Sequence, residues 1–399
     1  MLHISIPILD ELENLPQLLN CLRAQTCQEF IVWICVNQPE EWWDDPEKEE
    51  ICFRNKMSLD LLENVNDLST NIIDKSSRGK GWIGKNHGVG FARKTLFDAI
   101  ESYSSKEEIT ISLDADTIFN PDYFQSVLNI FDLNKDLPAL SIPYYHPLTG
   151  NKILDRAILH YEIYMRYYAL NLYRIESPYC FTALGSAIAF RMSAYRRIGG
   201  ITPKMSGEDF YFLQKMVKFK PILNYCDEKV FPAARFSNRV YFGTGPAMIR
   251  GALGDWESYP IYDYRFFDTI NRFYNQIPDL FLKDEPTELD DFLLSRNVNL
   301  WQNLRVNNKS LLHFRKAVHD NFDGLRILQF LKTSQQKPSE ENEERLIDFL
   351  SKFCPKSDYE DIIENFSFES SDILQLNRMR DYLCKLEDNY RLNEFKKRK

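Results

Sequence analysis

Ile109-Thr-Ile-Ser-Leu-Asp114-Ala-Asp116-Thr-Ile-Phe-Asn-Pro121 decides the fold. Five residues, apolar or β-branched except for one serine, run straight into two carboxylates. A short apolar run bounded by polar residues predicts a buried strand. Pro121 suits the first turn of a helix through Tyr123, Val127 and Phe131. Asp114 and Asp116 then sit where a strand leaves the sheet, the end at which open α/β sheets bind ligands. Two carboxylates two residues apart in extended chain point the same way and repel. A divalent cation bridging to a diphosphate removes that conflict. A pair of acids ahead of a helix is the plainer reading of the same residues.

Working outward, Leu2 to Ile8 predicts a first buried strand. Asp10, Glu11 and Glu13 follow, ahead of Leu15, Leu18, Leu19 and Leu22 at helical spacing. Acidic residues there suit the positive end of a helix. Phe30 to Val36 predicts a second strand, ended by Asn37-Gln-Pro39. Residues 40–50 read as an exposed acidic excursion and 71–74 as a short third strand. The segment from Ser76 to Lys94 holds five glycines and five Lys/Arg residues, Lys85 and Arg93 among them. Glycine allows close backbone approach, and the amides opening the helix at 91–103 favour an anion. A flexible surface loop is the alternative, and His87, with no second histidine nearby, reads as a local hydrogen-bonding residue.

Beyond the acidic pair, 139–145 predicts another strand and 152–173 a helix whose Tyr161, Tyr164 and Tyr168 share a face. That stripe reads as core packing, with a sugar-stacking surface as the sharper alternative. A small-residue turn, Ala183-Leu-Gly185, enters a further strand. Ser206-Gly-Glu208-Asp209 opens a helix through Phe210, Leu213, Met216 and Val217, where acids are favoured. Past Gly251 glycine nearly disappears, and 256–399 reads as successive amphipathic helices with a linker at Ser334-Gln-Gln-Lys-Pro-Ser-Glu-Glu. The expected organisation is an α/β domain over 1–250 and a helical C-terminal region over 251–399, the latter serving the acceptor side or a partner.

Charge and composition narrow the classes. Of 399 residues, 44% are hydrophobic and 27% charged, ordinary for a globular chain. A formal net charge of −9 argues against nucleic acid as the main partner. Eight cysteines form no Cys-x-x-Cys pair and read as reduced core thiols. With no secretory leader and no apolar run of membrane-spanning length, a cytoplasmic protein is expected. The basic end Lys396-Lys-Arg-Lys399 suggests weak peripheral contact with the inner face of a membrane.

Five stretches, in order, carry a resemblance: Ile6-Pro-Ile-Leu-Asp10-Glu11, Gly88-Val-Gly-Phe-Ala92-Arg93, Leu113-Asp114-Ala-Asp116, Gly185-Ser-Ala-Ile-Ala-Phe-Arg191 with Ile198-Gly-Gly200, and Gly207-Glu208-Asp209. Together they resemble the family 2 glycosyltransferases over residues 2 to about 217. The resemblance implies a GT-A, Rossmann-like α/β sandwich with a mainly parallel sheet. It implies a nucleoside-diphosphate sugar donor held by Pro7, Asp10, Glu11, Asn37, Lys85, Arg93 and Asp114-Ala115-Asp116. Asp114 and Asp116 resemble the aspartates near Mn²⁺ or Mg²⁺. Asp209, with Glu208, resembles the pair supplying the general base, with inversion at the sugar. The acceptor would be a glycan, a lipid-linked glycan or another hydroxyl, in surface polysaccharide or glycoconjugate synthesis.

Two departures qualify these expectations. Many members carry two aspartates after the second strand, where this chain has Val36-Asn37-Gln38-Pro39. Asn37 can hydrogen-bond a base, but the carboxylate is gone. A late histidine, a metal ligand in some GT-A enzymes, is missing between His160 and His313, leaving Arg235 or Arg239 to face the diphosphate. Processive synthases carry membrane helices and Gln-x-x-Arg-Trp, of which Gln302-Asn-Leu-Arg305-Val306 lacks the tryptophan. A nucleotidyltransferase would want a Gly-rich basic loop where Leu9-Asp10-Glu11 stands. A degenerate transferase serving as a binding module is the non-enzymatic alternative.

Overall fold

The computed structural model describes residues 1–237, 243–297, 301–335 and 342–398. Its strands are β1 (Leu2–Ile8), β2 (Phe30–Asn37), β3 (Thr70–Lys75), β4 (Ile109–Ser112), β5 (Thr117–Phe119), β6 (Ala139–Ser141), β7 (Ile188–Arg191) and β8 (Val230–Pro232). Six form one sheet in the order β3-β2-β1-β4-β7-β6. β3, β2, β1 and β4 pair in parallel, and β7 alone runs the other way, between β4 and β6. The expected mainly parallel α/β sheet is therefore present, as is the helical C-terminal region.

β1 and β2 are buried along their whole lengths, as near-continuous apolar runs in a parallel sheet should be. The polar exception, His3, is satisfied internally. Its Nδ1 accepts from Trp33 Nε1 at 3.1 Å, which leaves Nε2–H to donate to Glu108 at 2.9 Å. Burial lowers the ring's affinity for a second proton. Pro7 sits in this central strand at no cost in pairing. Ser5 turns its carbonyl toward β4 and accepts from Leu113 N–H. The pairing of β1 with β4 ends at Ser5↔Ser112, so Pro7, two residues on, faces past the end of β4 with its missing N–H.

The sheet's direction decides what meets at its edge. The carboxyl ends of β1, β2 and β4 release Asp10 and Glu11, Asn37, and Asp114 together. Because β7 runs oppositely, with Ser112 opposite Ile188, the residues entering it arrive at the same edge. Two features depart from expectation. Asp114 and Asp116 lie in a turn closed by Thr117 N–H on the Asp114 carbonyl at 3.1 Å, not in extended chain. And β5 follows at once, pairing antiparallel with β8, so the helix at Tyr123–Leu133 starts later, with Pro121 ahead of its cap.

The chain forms two compact units. The first comprises Met1–Ile158, Phe181–Ile249 and Arg391–Lys399, and contains the sheet. The second comprises Leu159–Cys180 and Arg250–Tyr390. Within the first, Arg391 donates to the Asn224 carbonyl at 3.2 Å, and Phe395 stacks on Tyr225 at 4.6 Å. The second is helical in its described residues. Tyr161, Tyr164 and Tyr168 do share a face there, and pack against Tyr259, Tyr262 and Phe267 as core. Its interior also holds a balanced ionic group. Arg166 donates to Glu162 at 3.0 Å and to Glu387 at 2.6 Å, and Arg380 reaches Glu162 at 3.1 Å. All four side chains are at most 2% exposed. Among the described residues no helix is long and apolar enough to cross a membrane. The basic end continues the helix Ile373–Arg398, whereas Lys399, Arg239 and most of the expected linker at 334–341 lie outside the described residues.

Candidate active site

Two guanidinium groups organise the carboxylates at the sheet edge, all of them within the first unit. Arg93 lies near the start of the helix Val89–Tyr103 and is 4% exposed. Its Nε donates to Glu208 Oε1 at 3.0 Å and its Nη2 to Asp114 Oδ1 at 2.6 Å. Nη1 donates to Ser112 Oγ at 2.6 Å and to the Gly185 carbonyl at 3.1 Å. Four acceptors on three segments distant in sequence thus hold one buried cation. Charge-assisted bonds of this kind are what permit an arginine to be buried. Arg93 was expected on the donor. It is enclosed by protein acceptors instead, because the acids and the carbonyl around it satisfy its fork.

Arg235 is the second centre. β8 pairs with β5, and Ala233 N–H donates to the Asp116 carbonyl at 3.1 Å, which delivers Arg235 to Asp116. Its Nη2 stands 2.6 Å from Asp116 Oδ2, and it grips both oxygens of Glu11, with Nη1–Oε2 at 2.9 Å. Asn14 also donates to Glu11, at 2.6 Å. Glu11 is buried, Asp116 mostly buried and Asp114 about one-third exposed.

Glu208 and Asp209 open the helix Glu208–Phe219 after Gly207, which takes the left-handed φ of +75°. Glu208 is buried against Arg93. Asp209 is half-buried, and its Oδ1 accepts from Phe210 N–H at 2.7 Å. Burial first, and then the charge of Glu208, push its carboxyl up to about 7, with Arg93 opposing.

The other expected donor contacts lie as follows. Asp10, at φ +57°, pairs with Arg54 and takes Asn55 Oδ1 on its backbone N–H at 2.8 Å. Asn37 is buried, donates to the Ile8 carbonyl at 2.8 Å and accepts from Trp82 Nε1 at 3.1 Å. Its amide thus ties β2 to β1 and to the glycine-rich loop, where a base contact had been expected. Pro7 and Ala115 are buried backbone positions, and Lys85 is exposed. Two glycines of the segment are fixed by packing, since a Cβ on Gly81 would come within 2.8 Å of the Glu40 backbone, whereas Gly79 and Gly84 face open space. A Cβ on Gly90 would come within 2.2 Å of the Lys204 carbonyl oxygen. Sequence reasoning missed Ser112, Trp82 and the Gly185 carbonyl. Only Gly185 carried a signal, the small-residue turn before β7.

Among the described residues no three acidic, histidine or cysteine side chains group as a metal cage. Asp114 and Asp116 are hard oxygen donors of the type Mg²⁺ and Mn²⁺ prefer, and each is paired with a guanidinium in this structure.

No protein-family model matches the chain, and no curated protein matches it. Among solved structures it is similar to S. aureus TarS 1-349 in complex with UDP-GlcNAc, at 13% identity over 98% of this chain and 92% of that one, with a TM-score of 0.41. It is similar to the mannosyltransferase PcManGT from Pyrobaculum calidifontis in complex with GDP-Man and Mn²⁺, at 12% identity over 81% and 87%, TM-score 0.39. A third is glucosyl-3-phosphoglycerate synthase from Mycobacterium tuberculosis in complex with Mn²⁺, UDP and phosphoglyceric acid, at 13% over 55% and 65%, TM-score 0.32.

Proposed function

We propose that this chain is a glycosyltransferase that moves a sugar from a nucleoside-diphosphate donor to an acceptor hydroxyl, with inversion. The observation that carries the reading is the grouping of five carboxylates, Glu11, Asp114, Asp116, Glu208 and Asp209, around Arg93 and Arg235 at the carboxyl edge of a parallel sheet. A sugar hydroxyl is a weak nucleophile and needs a carboxylate to take its proton during attack. Asp209 suits that role, because burial and the neighbouring Glu208 push its carboxyl up to about 7 and, among the described contacts, it bonds to Phe210 N–H and not to a guanidinium. One acceptor oxygen attacking opposite the departing diphosphate inverts the sugar carbon. Asp114 and Asp116 would hold Mn²⁺ or Mg²⁺, which when bound offsets charge on the leaving diphosphate.

A second reading rests on Arg235. That guanidinium already neutralises Glu11 and Asp116, and a cation fixed by the protein could do the work of a metal. The test is a screen of nucleotide sugars, with acceptor alcohols, in Mn²⁺ and in EDTA. Release of nucleoside diphosphate that stops in EDTA is expected. Persistence in EDTA favours Arg235. Pyrophosphate release from a nucleoside triphosphate and a sugar phosphate would make the chain a nucleotidyltransferase. Donor binding without turnover would make it a binding module. The products envisaged are surface polysaccharides or glycoconjugates made on the cytoplasmic side, with Lys396–Lys399 as a weak membrane contact.

A further inference from the structure

Arg93 is the only residue bonded to both halves of the acidic grouping among the described contacts, with Asp114 on one side and Glu208, neighbour of Asp209, on the other. At 4% exposure it has no face for a substrate. Its place depends on an atom that is missing elsewhere. A Cβ on Gly185 would lie 2.0 Å from Arg93 Nη2 and 2.6 Å from Cζ. Both distances are far inside contact, so a side chain at 185 requires the guanidinium to shift away from acceptors that hold it by four bonds. Gly185 does not need glycine for its backbone angles, since its φ is not among the positive ones. Space for Arg93 accounts for the residue.

We infer that Arg93 is a positioning residue that fixes Asp114 relative to the Glu208–Asp209 pair, and that Gly185 is the position that admits its guanidinium. The inference rests on the transferase reading for its catalytic consequence, and on geometry alone for the role of Gly185. Arg93 carries no proton in the reaction. It holds the aspartate at the end of β4 and the first turn of the helix Glu208–Phe219 at one fixed separation. Geometry of that kind is worth large factors in rate, because misplacement of about 1 Å costs about 10²-fold.

The experiment is chemical rescue on the full chain. Arg93→Ala leaves a space shaped for guanidinium, and that variant should transfer sugar at least tenfold more slowly than the wild type. Guanidinium chloride at tens of millimolar should raise both its melting temperature and its transfer rate. The same salt should do neither in Arg93→Ala/Gly185→Ala, where the new methyl fills the space. Rescue of the double variant, or no stabilisation of the single one, overturns the role of Gly185. Stabilisation without recovered transfer, beside an active wild type, overturns positioning. If Arg93→Ala does not fold, Arg93→Lys decides, since an ammonium cannot span the acceptors of a guanidinium fork. A folded Arg93→Lys with wild-type transfer overturns the inference. A wild type inactive on every donor counts against the transferase reading, and the melting arm still decides whether Gly185 admits the guanidinium.

Discussion

Asp209→Asn should make the protein more stable and less active, and the gain in stability should depend on pH. In the folded chain, burial and Glu208 raise the Asp209 carboxyl from 3.8 to about 7. In the unfolded chain it ionises near its ordinary value. Between those values the unfolded state has lost the proton and the folded state keeps it, so stability falls as pH rises. At about 1.4 kcal/mol per pH unit, the loss reaches on the order of 4 kcal/mol by pH 7 and then levels off. Asparagine has no charge to bury, and its Oδ1 can still accept from Phe210 N–H. Wild type and variant should therefore melt alike near pH 4. Above pH 4 the variant should gain, with a constant advantage beyond pH 7. Transfer by the wild type should rise with pH and level off above about 7, as the base ionises. In the variant it should fall by about 10²-fold or more while donor binding stays. Melting curves at pH 4, 6 and 8, with donor calorimetry on the same samples, test this. A stability difference that does not change with pH, or near-normal transfer in the variant, refutes the reasoning.

Asp116→Asn should weaken Mn²⁺-dependent donor binding and cut turnover, because it removes charge from the cation and from Arg235 together; unchanged metal-dependent affinity by calorimetry would rule out the metal role. Arg235→Met leaves Glu11 and Asp116 without their shared cation, so activity without added metal should drop at least tenfold and excess Mn²⁺ should restore part of it. An Arg235→Met protein with the metal response of the wild type would show that the contact is ornamental. In the second unit, Arg166→Met removes the buried cation that bonds both Glu162 and Glu387, at a cost of about 3–5 kcal/mol for breaking a buried ion pair from one side. Its melting temperature should fall by several degrees, and an unchanged one would mean that the group is water-filled.

What could be read from the sequence was what neighbours along the chain determine. The apolar runs of β1, β2 and β4 and the leucine spacing of the helix Leu15–Arg23 follow from local periodicity. β5 and β8 escaped because three residues, Thr117-Ile-Phe119 or Val230-Phe-Pro232, are too few to show a period. Missing them hid the route by which Arg235 reaches Asp116. The acids of the site were legible as residue types at strand ends and helix starts. Their partners were not. An arginine beside glycines reads as an anion ligand, and nothing local reveals that Arg93 meets carboxylates 21 and 115 positions away. Asn37 was legible as a hydrogen-bonding group, but the tryptophan that occupies it stands 45 residues on.

The interleaving of the two units has a consequence for how the protein is made. The chain changes unit four times, after residues 158, 180, 249 and 390, so no single cut yields the first unit whole. A chain stopped near residue 250 would lack Arg391 and Phe395, which brace Asn224 and Tyr225 just upstream of β8. β8 in turn guides Arg235 to Asp116. On the ribosome the order is equally awkward. Glu11 emerges 224 residues before Arg235, roughly 11 to 45 seconds at about 5–20 residues per second. The pair between Glu11 and Arg235 can therefore form only after every strand of the six-stranded sheet has been synthesised.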